Sequence, residues 1–494
     1  MSLFLAIDQS TSATKAFLFD DADRIVDRES LEHRQHYPQP GWVEHDAGEI
    51  WQNMRRVLQQ LLGRQTTRRS EIVSFSITNQ RETIVVFDRA TGLPLYPAIV
   101  WQCRRGAGLC QRHSDSGYDS LVQGKTGLRL DAYFSASKLQ WLIENRPELK
   151  PRLADGSALM GTIDTYLIFR LTAGKVFATD STNASRTLLF DLNTLQWDQQ
   201  LCQLWDVPLV ALAEVRESSA QFGETTIDGL LPTPVPIRGV MADSQAALFA
   251  QRGFTPGSAK ITFGTGSSLL LNIGQKRRPA APGVLTALAW VHAGVPTYAF
   301  EGIIIASAST LVWICEQLGV APDVAALEKI AAGTSDNGGV YLVPAFTGLG
   351  LPHWNPSARA AITGLSSHSG RPQIARAGFE SIAYQIRDAL DAMRAGGGVP
   401  LGILHCDGGP TASRFLMQFT ADLAQAELRV AGMPDCSALG AMLAGKLGLG
   451  LHRSLADVAA APRDEIVYHP TLPADRAASL HAGWLSAVRQ VIAS

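Results

Sequence analysis

The sequence predicts an α/β protein of two large domains of related design, each offering a hydroxyl-rich turn to a shared cleft. Three observations carry this reading. The 494 residues suit two large domains or three ordinary ones, at roughly 150 residues per domain. The chain opens on a strand, a hydroxyl turn and a second strand, where FLAI is followed by DQSTSAT and KAFLFD. The same unit returns about half a chain later, at 260–274, as KITF, GTGSS and LLLNIG. Identity between the two hairpins is low, which leaves duplication open on pattern alone.

A hydrophobic fraction of 46% with 18% charged residues supplies sizeable cores and excludes wholesale disorder, collagen-like repeats and coiled coils. Lys plus Arg number 43 against 45 Asp plus Glu, a formal net charge of −2. Neither nucleic acid nor an anionic membrane is then expected as the main partner; a small molecule or another protein is. Six scattered cysteines, with no CxxC pair and no HExxH, read as buried thiols of a reducing cytoplasm. The apolar run from Met1 is stopped by Asp8 and reads as a strand rather than a signal peptide. The charge-free stretches 279–300 and 337–358 each contain three prolines, so neither is expected to span a membrane.

Taken in order, 46–63 predicts a helix with Ile50, Trp51, Met54, Val57, Leu58, Leu61 and Leu62 on one side. A strand at 72–78 runs into Asn79-Gln80-Arg81-Glu82-Thr83, a polar cluster where α/β proteins place their chemistry. Gly124-Lys125-Thr126 is read as a loop, because Asp119 stands where the first glycine of a P-loop belongs. No GxGxxG follows a strand, which removes the dinucleotide-binding dehydrogenases. A helix end at 246–251, then Gly253 and Pro256-Gly257, sets the expected domain boundary. Beyond it, 376–393 predicts an amphipathic helix. A strand at 403–406 leads into Asp407-Gly408-Gly409 and a helix at 413–424, an arrangement whose helix N-terminus can meet a phosphate or a nucleotide.

The residues with chemistry sit at strand ends. Asp8 is followed by Gln9, Ser10, Thr11 and Ser12, donors suited to phosphate oxygens, while its carboxylate suits a hydrated Mg²⁺; alternatively it hydrogen-bonds its own turn. Arg81-Glu82 sets a fork of donors beside an acceptor, a pairing suited to a polyol whose hydroxyls both donate and accept, or to a plain ion pair. Asp243, between an apolar run and a helix, suits a general base towards a hydroxyl or an N-cap. Together these ask for two phosphate turns, an acidic base and a polyol clamp, which is the logic of a kinase.

Longer segments carry a resemblance. They include GWVEHD (41–46), TNQRET (78–83), AIVWQCRR (98–105), YFSASKLQW (133–141), TNASRTLLFD (182–191), ITFGTG (261–266) and VPAFTGLGLPHW (343–354). ESIAYQIRD (380–388), DGGPTASRFLMQF (407–419) and SALGAMLAG (437–445) complete them. With these segments in this order, the chain resembles the FGGY carbohydrate kinases, most closely their glycerol kinase branch, from Ile7 to about Gly445. The resemblance implies two ribonuclease-H-like domains of the actin/Hsp70/sugar kinase type flanking a central cleft. Residues 1–250 would form the N-terminal domain, with the substrate site and first phosphate turn, and 251–494 the C-terminal, nucleotide-binding one. It implies ATP and Mg²⁺, a cytoplasmic enzyme with a homodimeric or homotetrameric assembly left open, and phosphorylation of a terminal hydroxyl of glycerol or a close analogue. Asp243 would be the base, with Arg81, Glu82, Tyr133 and Ser244 around the polyol. Thr11, Ser12, Lys15 and Thr265 would face the nucleotide phosphates, Asp8 would organise Mg²⁺ through water, and Ala308, Gly408, Gly409 and Arg414 would line the nucleoside.

The chain also departs from the pattern. Ser244 replaces the usual Gln and Ser268 the usual Phe, which predicts a roomier, more polar pocket favouring a longer polyol or a ketose such as erythritol, xylulose or ribulose. Ser10 stands for Gly and Lys15 for Arg, keeping a cation but losing the fork. Ala308, Val312 and Arg414 replace the usual Gly, Gln and Asn near the adenosine. The loop at 228–236 lacks the family's fructose bisphosphate pattern, so no such inhibition is expected. Two further readings share the fold: a catalytically silent sugar sensor, which has no need of Asp8, Arg81, Glu82 and Asp243 together, and an actin-like or chaperone ATPase, which lacks the Arg81-Glu82 clamp.

Overall fold

The computed structural model describes residues 2–355, 357–433 and 435–493. Met1 and Ser494, the outer ends of the two expected domains, lie outside the described residues, as does Pro356 within the 337–358 stretch. The chain folds into two compact units. The first comprises Met1–Arg252, Thr286–Tyr298 and Cys436–Ala461; the second comprises Gly253–Leu285, Ala299–Asp435 and Pro462–Ser494. Two segments from beyond residue 250 therefore belong to the first unit. The Tyr298 hydroxyl donates to the Leu192 carbonyl at 2.8 Å, and Lys446 Nζ to Asp23 Oδ1 at 2.5 Å.

The main sheet of the first unit runs in the order Gln221–Thr225, Val235–Ala242, Ile72–Asn79, Leu3–Gln9, Ala13–Phe19, Ile25–Glu32. Leu3–Gln9, Ala13–Phe19 and Ile25–Glu32 form the expected antiparallel meander. On its other side Leu3–Gln9 runs parallel to Ile72–Asn79, which runs parallel to Val235–Ala242. Three parallel strands thus end side by side, with Gln9 and Ala242 both in register with Asn79. Such strands are covered on both faces, and LFLAIDQ is accordingly buried throughout.

One cover is the helix Ala47–Arg64, started by Asp46, whose Oδ1 accepts from the Gly48 and Glu49 amides at 2.7 and 3.2 Å. Its apolar stripe from Ile50 to Leu62 joins Leu3, Leu5 and Ile7 in one core. The helix Cys436–Gly448 packs backbone to backbone on the strand and helix that carry Asp243. A Cβ added at Gly440 would stand 1.8 Å from the Ala246 carbonyl, and one at Gly239 would stand 1.9 Å from that of Ala441. The SALGAMLAG segment is small-residued because that approach leaves no room for side chains.

The second unit repeats the plan. Its strands Ser267–Gly274, Ala259–Phe263, Leu404–Asp407, Leu428–Ala431 and Glu465–Tyr468 neighbour one another in that order. A hairpin, two parallel strands and an antiparallel edge follow as in the first unit. The helix Arg371–Gly397 exceeds the expected 376–393 at both ends, since Pro372 fits a first turn and the helix runs on to Gly398 at φ 59°.

One local expectation is corrected. Gly124-Lys125-Thr126 is not a loop but the end of the helix Asp119–Thr126, stopped by Gly127 at φ 71°, with the Thr126 hydroxyl donating to the Val122 carbonyl at 2.7 Å. The stretch 279–300 enters the strands Leu285–His292 and Val295–Ile304. Among the described residues no helix is long and apolar enough to cross a membrane.

Burial holds two imidazoles neutral. His45 and His405 are pushed down to about 3, first by burial and then by neighbouring side chains, His33 and His36 for the former and Arg463 and Arg429 for the latter. Unfolded, each takes up a proton near pH 6.5, so acidification favours the unfolded chain. Asp164, pushed up to about 6 by burial and by the nearby Asp180 carboxylate, acts in the opposite sense and only below that pH. Between pH 7.5 and 6 the two histidines should remove about 1.5 kcal/mol of stability, measurable by urea unfolding at both pH values. In His405→Phe this pH-dependent loss should fall by about half.

Candidate active site

The first unit gathers its polar residues where its three parallel strands end, the position at which open α/β sheets bind ligands. The first hairpin turn, Ser10 to Ser12, closes through Ser10, whose amide and hydroxyl both donate to the Ala13 carbonyl at 2.9 Å. Its outer side is gripped by His33, whose amide donates to the Ser12 carbonyl at 3.1 Å and whose Nε2 lies 2.9 Å from the Thr11 carbonyl. The Thr11 hydroxyl accepts from Trp101 Nε1 at 2.9 Å, and Ser12 is exposed. Asp8 lies in register with Lys15 on one neighbouring strand and with Thr78 on the other, so the three side chains share a face. Among the described residues no group of three or more His, Cys, Asp or Glu side chains could hold a metal. The oxygen donors of Asp8 and Thr78 fit a hydrated Mg²⁺ shared with phosphate rather than an all-protein cage.

Arg81 and Glu82 follow the strand Ile72–Asn79 in a tight turn. The Thr83 amide donates back to the Arg81 carbonyl at 2.7 Å, which puts Glu82 at φ 60°, a left-handed conformation that non-glycine residues rarely adopt. Both side chains are buried. Arg81 Nε lies 3.3 Å from Asp243 Oδ1 and 3.7 Å from Glu82 Oε1. Glu82 Oε1 accepts from Arg186 Nε at 2.7 Å, and Arg186 is itself fully buried with its guanidinium over the Phe134 ring. Asp243 is the first residue of the helix Asp243–Ala250, and its Oδ1 accepts from the Ser244 amide at 2.6 Å. Its side chain is 37% exposed, so it is held by Arg81 yet reachable from solvent. Ser244 is half-buried beside it.

Tyr133 packs against Trp101 with ring centroids 5.2 Å apart. Its loop is fixed from below by Lys138, a buried ammonium whose Nζ donates to the carbonyls of Ala132, Tyr133 and Phe134 at 2.5, 2.7 and 3.1 Å. Burial pushes that amine down to about 8. Trp101 thus joins Tyr133 to the first turn, and Arg81 joins Glu82 to Asp243.

In the second unit the turn after Ala259–Phe263 is built from backbone. The Gly264 amide donates to the Gly266 carbonyl at 2.8 Å, and the Ser307 and Ala308 amides donate to the Thr265 and Gly264 carbonyls at 2.8 and 3.0 Å. Thr265 is left exposed. Gly408, at φ 98°, lies so close to the end of the strand Ala259–Phe263 that a Cβ would stand 1.9 Å from the Phe263 carbonyl, whereas Gly409 is unobstructed. Ala308 backs the Thr265 turn, while Arg414 is exposed at the start of the helix Arg414–Ala424.

The start of that helix is partly occupied. A 3₁₀ segment, Gly409–Ala412, separates it from the strand, and its Phe415 and Leu416 amides are already taken. Ser413 Oγ accepts from the Leu416 amide at 3.1 Å, while Glu328 Oε1 accepts from Ser413 Oγ at 2.7 Å and from the Phe415 amide at 3.3 Å. A carboxylate thus stands at this helix N-terminus, which disfavours a phosphate there and leaves the nucleoside side of the expectation open.

Trp101, Arg186, His33 and Glu328 were not singled out from sequence. Trp101 and Arg186 stand within the AIVWQCRR and TNASRTLLFD segments; His33 and Glu328 carry no local signal.

Comparison with known proteins accords with this geometry. Residues 3–250 match the N-terminal domain model, and residues 259–448 the C-terminal domain model, of the FGGY family of carbohydrate kinases. A glycerol kinase of Thermotoga maritima is 42% identical over 489 residues, 99% of either chain, and one of Desulfitobacterium hafniense is 43% identical over 488 residues, again 99% of each. The solved glycerol kinase of Plasmodium falciparum with ADP superposes with a TM-score of 0.94 at 36% identity, covering 99% of this chain and 98% of that one. A xylulose kinase of Lactobacillus acidophilus shares the fold, with a TM-score of 0.89 at 20% identity over 100% and 99% of the two chains. Matched over both domains and over its whole length, the chain belongs to the FGGY family of carbohydrate kinases.

Proposed function

We propose that this protein transfers the γ-phosphoryl group of ATP to a terminal hydroxyl of glycerol, with Asp243 as the base. The observation that carries the reading is the Asp243–Arg81–Glu82 set: a reachable carboxylate held 3.3 Å from a buried guanidinium, with a second carboxylate held by another arginine. Arg81 donates and Glu82 accepts, which is what a polyol's remaining hydroxyls require. The Trp101–Tyr133 pair supplies an apolar wall for its carbon chain. Asp243 takes the proton of the attacking hydroxyl, whose oxygen forms the new bond to γ-phosphorus as the bond to the ADP oxygen breaks. Thr11 and Ser12 on the first turn, Lys15 on the strand that follows it and Thr265 on the second turn receive the phosphates. Gly408 and Gly409 border the nucleoside, with Ala308 and Arg414 nearby. Asp8 would hold a hydrated Mg²⁺, which when bound would supply charge neutralisation on the phosphates. The family relation to glycerol kinases supports both ATP and the polyol. The buried thiols, none in a disulfide, support a cytoplasmic enzyme.

One observation favours a second acceptor. Ser244, beside the base, and Ser268, on the strand Ser267–Gly274, are short hydroxyl side chains, both half-buried. Each is shorter than the Gln or Phe usual at its position, which favours a C4 polyol or a C5 ketose. A coupled assay of ADP release with glycerol, erythritol, xylulose and ribulose separates the two: the highest kcat/KM with glycerol supports the first reading, and a C4 or C5 acceptor in that place replaces it. Arg186→Met should destabilise the fold by about 3 kcal/mol, because it strips the closest partner from the buried Glu82. It should also raise KM for the polyol but not for ATP, as urea unfolding and steady-state kinetics will report.

A further inference from the structure

Resting on the reading above, we infer that Asp180 is a positioning residue that sets the geometry of both the base and the polyol clamp, acting on Asp243 through Thr182 and on Arg81 through Asn183. Asp180 is fully buried. Its Oδ2 accepts from the Thr182 amide at 3.0 Å, the Thr182 hydroxyl at 2.7 Å and the Ser218 hydroxyl at 2.8 Å. Its Oδ1 accepts from the amide and the side-chain Nδ2 of Asn183, both at 2.9 Å. Capping the four-residue helix Ser181–Ala184 needs only the two amide bonds. The three side-chain donors lock Thr182, Asn183 and Ser218 in single orientations.

Each of the first two then reaches a strand end. With its proton committed to Asp180, the Thr182 hydroxyl can only accept, and it accepts from the Ala242 amide at 2.9 Å. Ala242 immediately precedes Asp243, and the helix that Asp243 begins has no side-chain cap of its own. Asn183 exchanges two amide bonds with Asn79, at 3.0 and 3.1 Å, and Asn79 Nδ2 also donates to the Gln80 carbonyl at 2.8 Å. Asn79 and Gln80 lead directly into Arg81 and Glu82. One buried carboxylate therefore controls two neighbouring strand ends, which carry the two halves of the site. Misplacing a reacting group by about 1 Å can cost about 100-fold in rate, so the separation of these bonds is functional as well as structural.

The two branches make different predictions. Thr182→Val keeps the shape but removes the acceptor under Ala242. It should lower kcat about 10- to 100-fold with little change in KM for polyol or ATP, and Thr182→Ser should restore kcat. Asn183→Ala should chiefly raise the polyol KM. Ser218→Ala removes only one donor to Asp180, and so tests the inference should the others fold poorly; it should lower kcat by a smaller factor. A purely structural Asp180 would leave kcat and KM of the folded fraction at wild-type values in all four, with only Tm reduced, and that outcome overturns the inference. Wild-type enzyme that phosphorylates no polyol would overturn the functional reading itself, whereas active wild type with unaltered variants overturns this inference alone.

Discussion

A buried carboxylate is costly unless donors or cations surround it, and the first unit is organised around that constraint. Glu82, Asp164 and Asp180 are all buried at the level where the parallel strands end, and each meets the requirement differently. Glu82 leans on Arg186 at 2.7 Å. Asp180 collects five hydrogen bonds. Asp164, which accepts from the hydroxyls of Thr162 and Thr179, lies close to Asp180 and is pushed up to about 6. The polar density of 179–187 follows, since these carboxylates need hydroxyls, amides and a guanidinium there. Asp243, by contrast, is left partly exposed, as the proposed proton exchange with a bound hydroxyl requires.

The second unit uses the same strand plan with different materials. Its turn is held by main-chain amides from the start of the helix Ala308–Glu316, and glycines at 266 and 408 let backbones approach where any side chain would collide. This suits phosphate contacts, which call for N–H and hydroxyl donors rather than charged acceptors. The two units thus differ in their means: buried charge orders the strand ends of the first, and backbone hydrogen bonds order the turn of the second.

What was legible in sequence was local. Both hairpins, the Asp46-capped helix and the helix following Ser413 could be read from apolar periodicity and turn residues. So could the strand that delivers Arg81 and Glu82, because short-range sterics decide those elements. Contacts across long separations were not legible. Arg186 meets Glu82 across 104 residues and Glu328 meets Ser413 across 85, and no periodicity announces either. The Gly-Lys-Thr triplet misled in another way, since Gly127 immediately after it ends a helix rather than opening a loop. Residues 436–461, far along the chain, belong to the first unit because a small-residue helix fits against the strand carrying Asp243. Spacing alone could not show that pairing.

The most direct test of Asp243 as the base is Asp243→Asn, which keeps the acceptor oxygen facing Arg81 and removes the basicity. Steady-state kinetics should show kcat reduced by about 10²- to 10⁴-fold, with polyol binding still detected by calorimetry. A variant that binds the polyol and retains kcat within about threefold of wild type would contradict the assignment of Asp243.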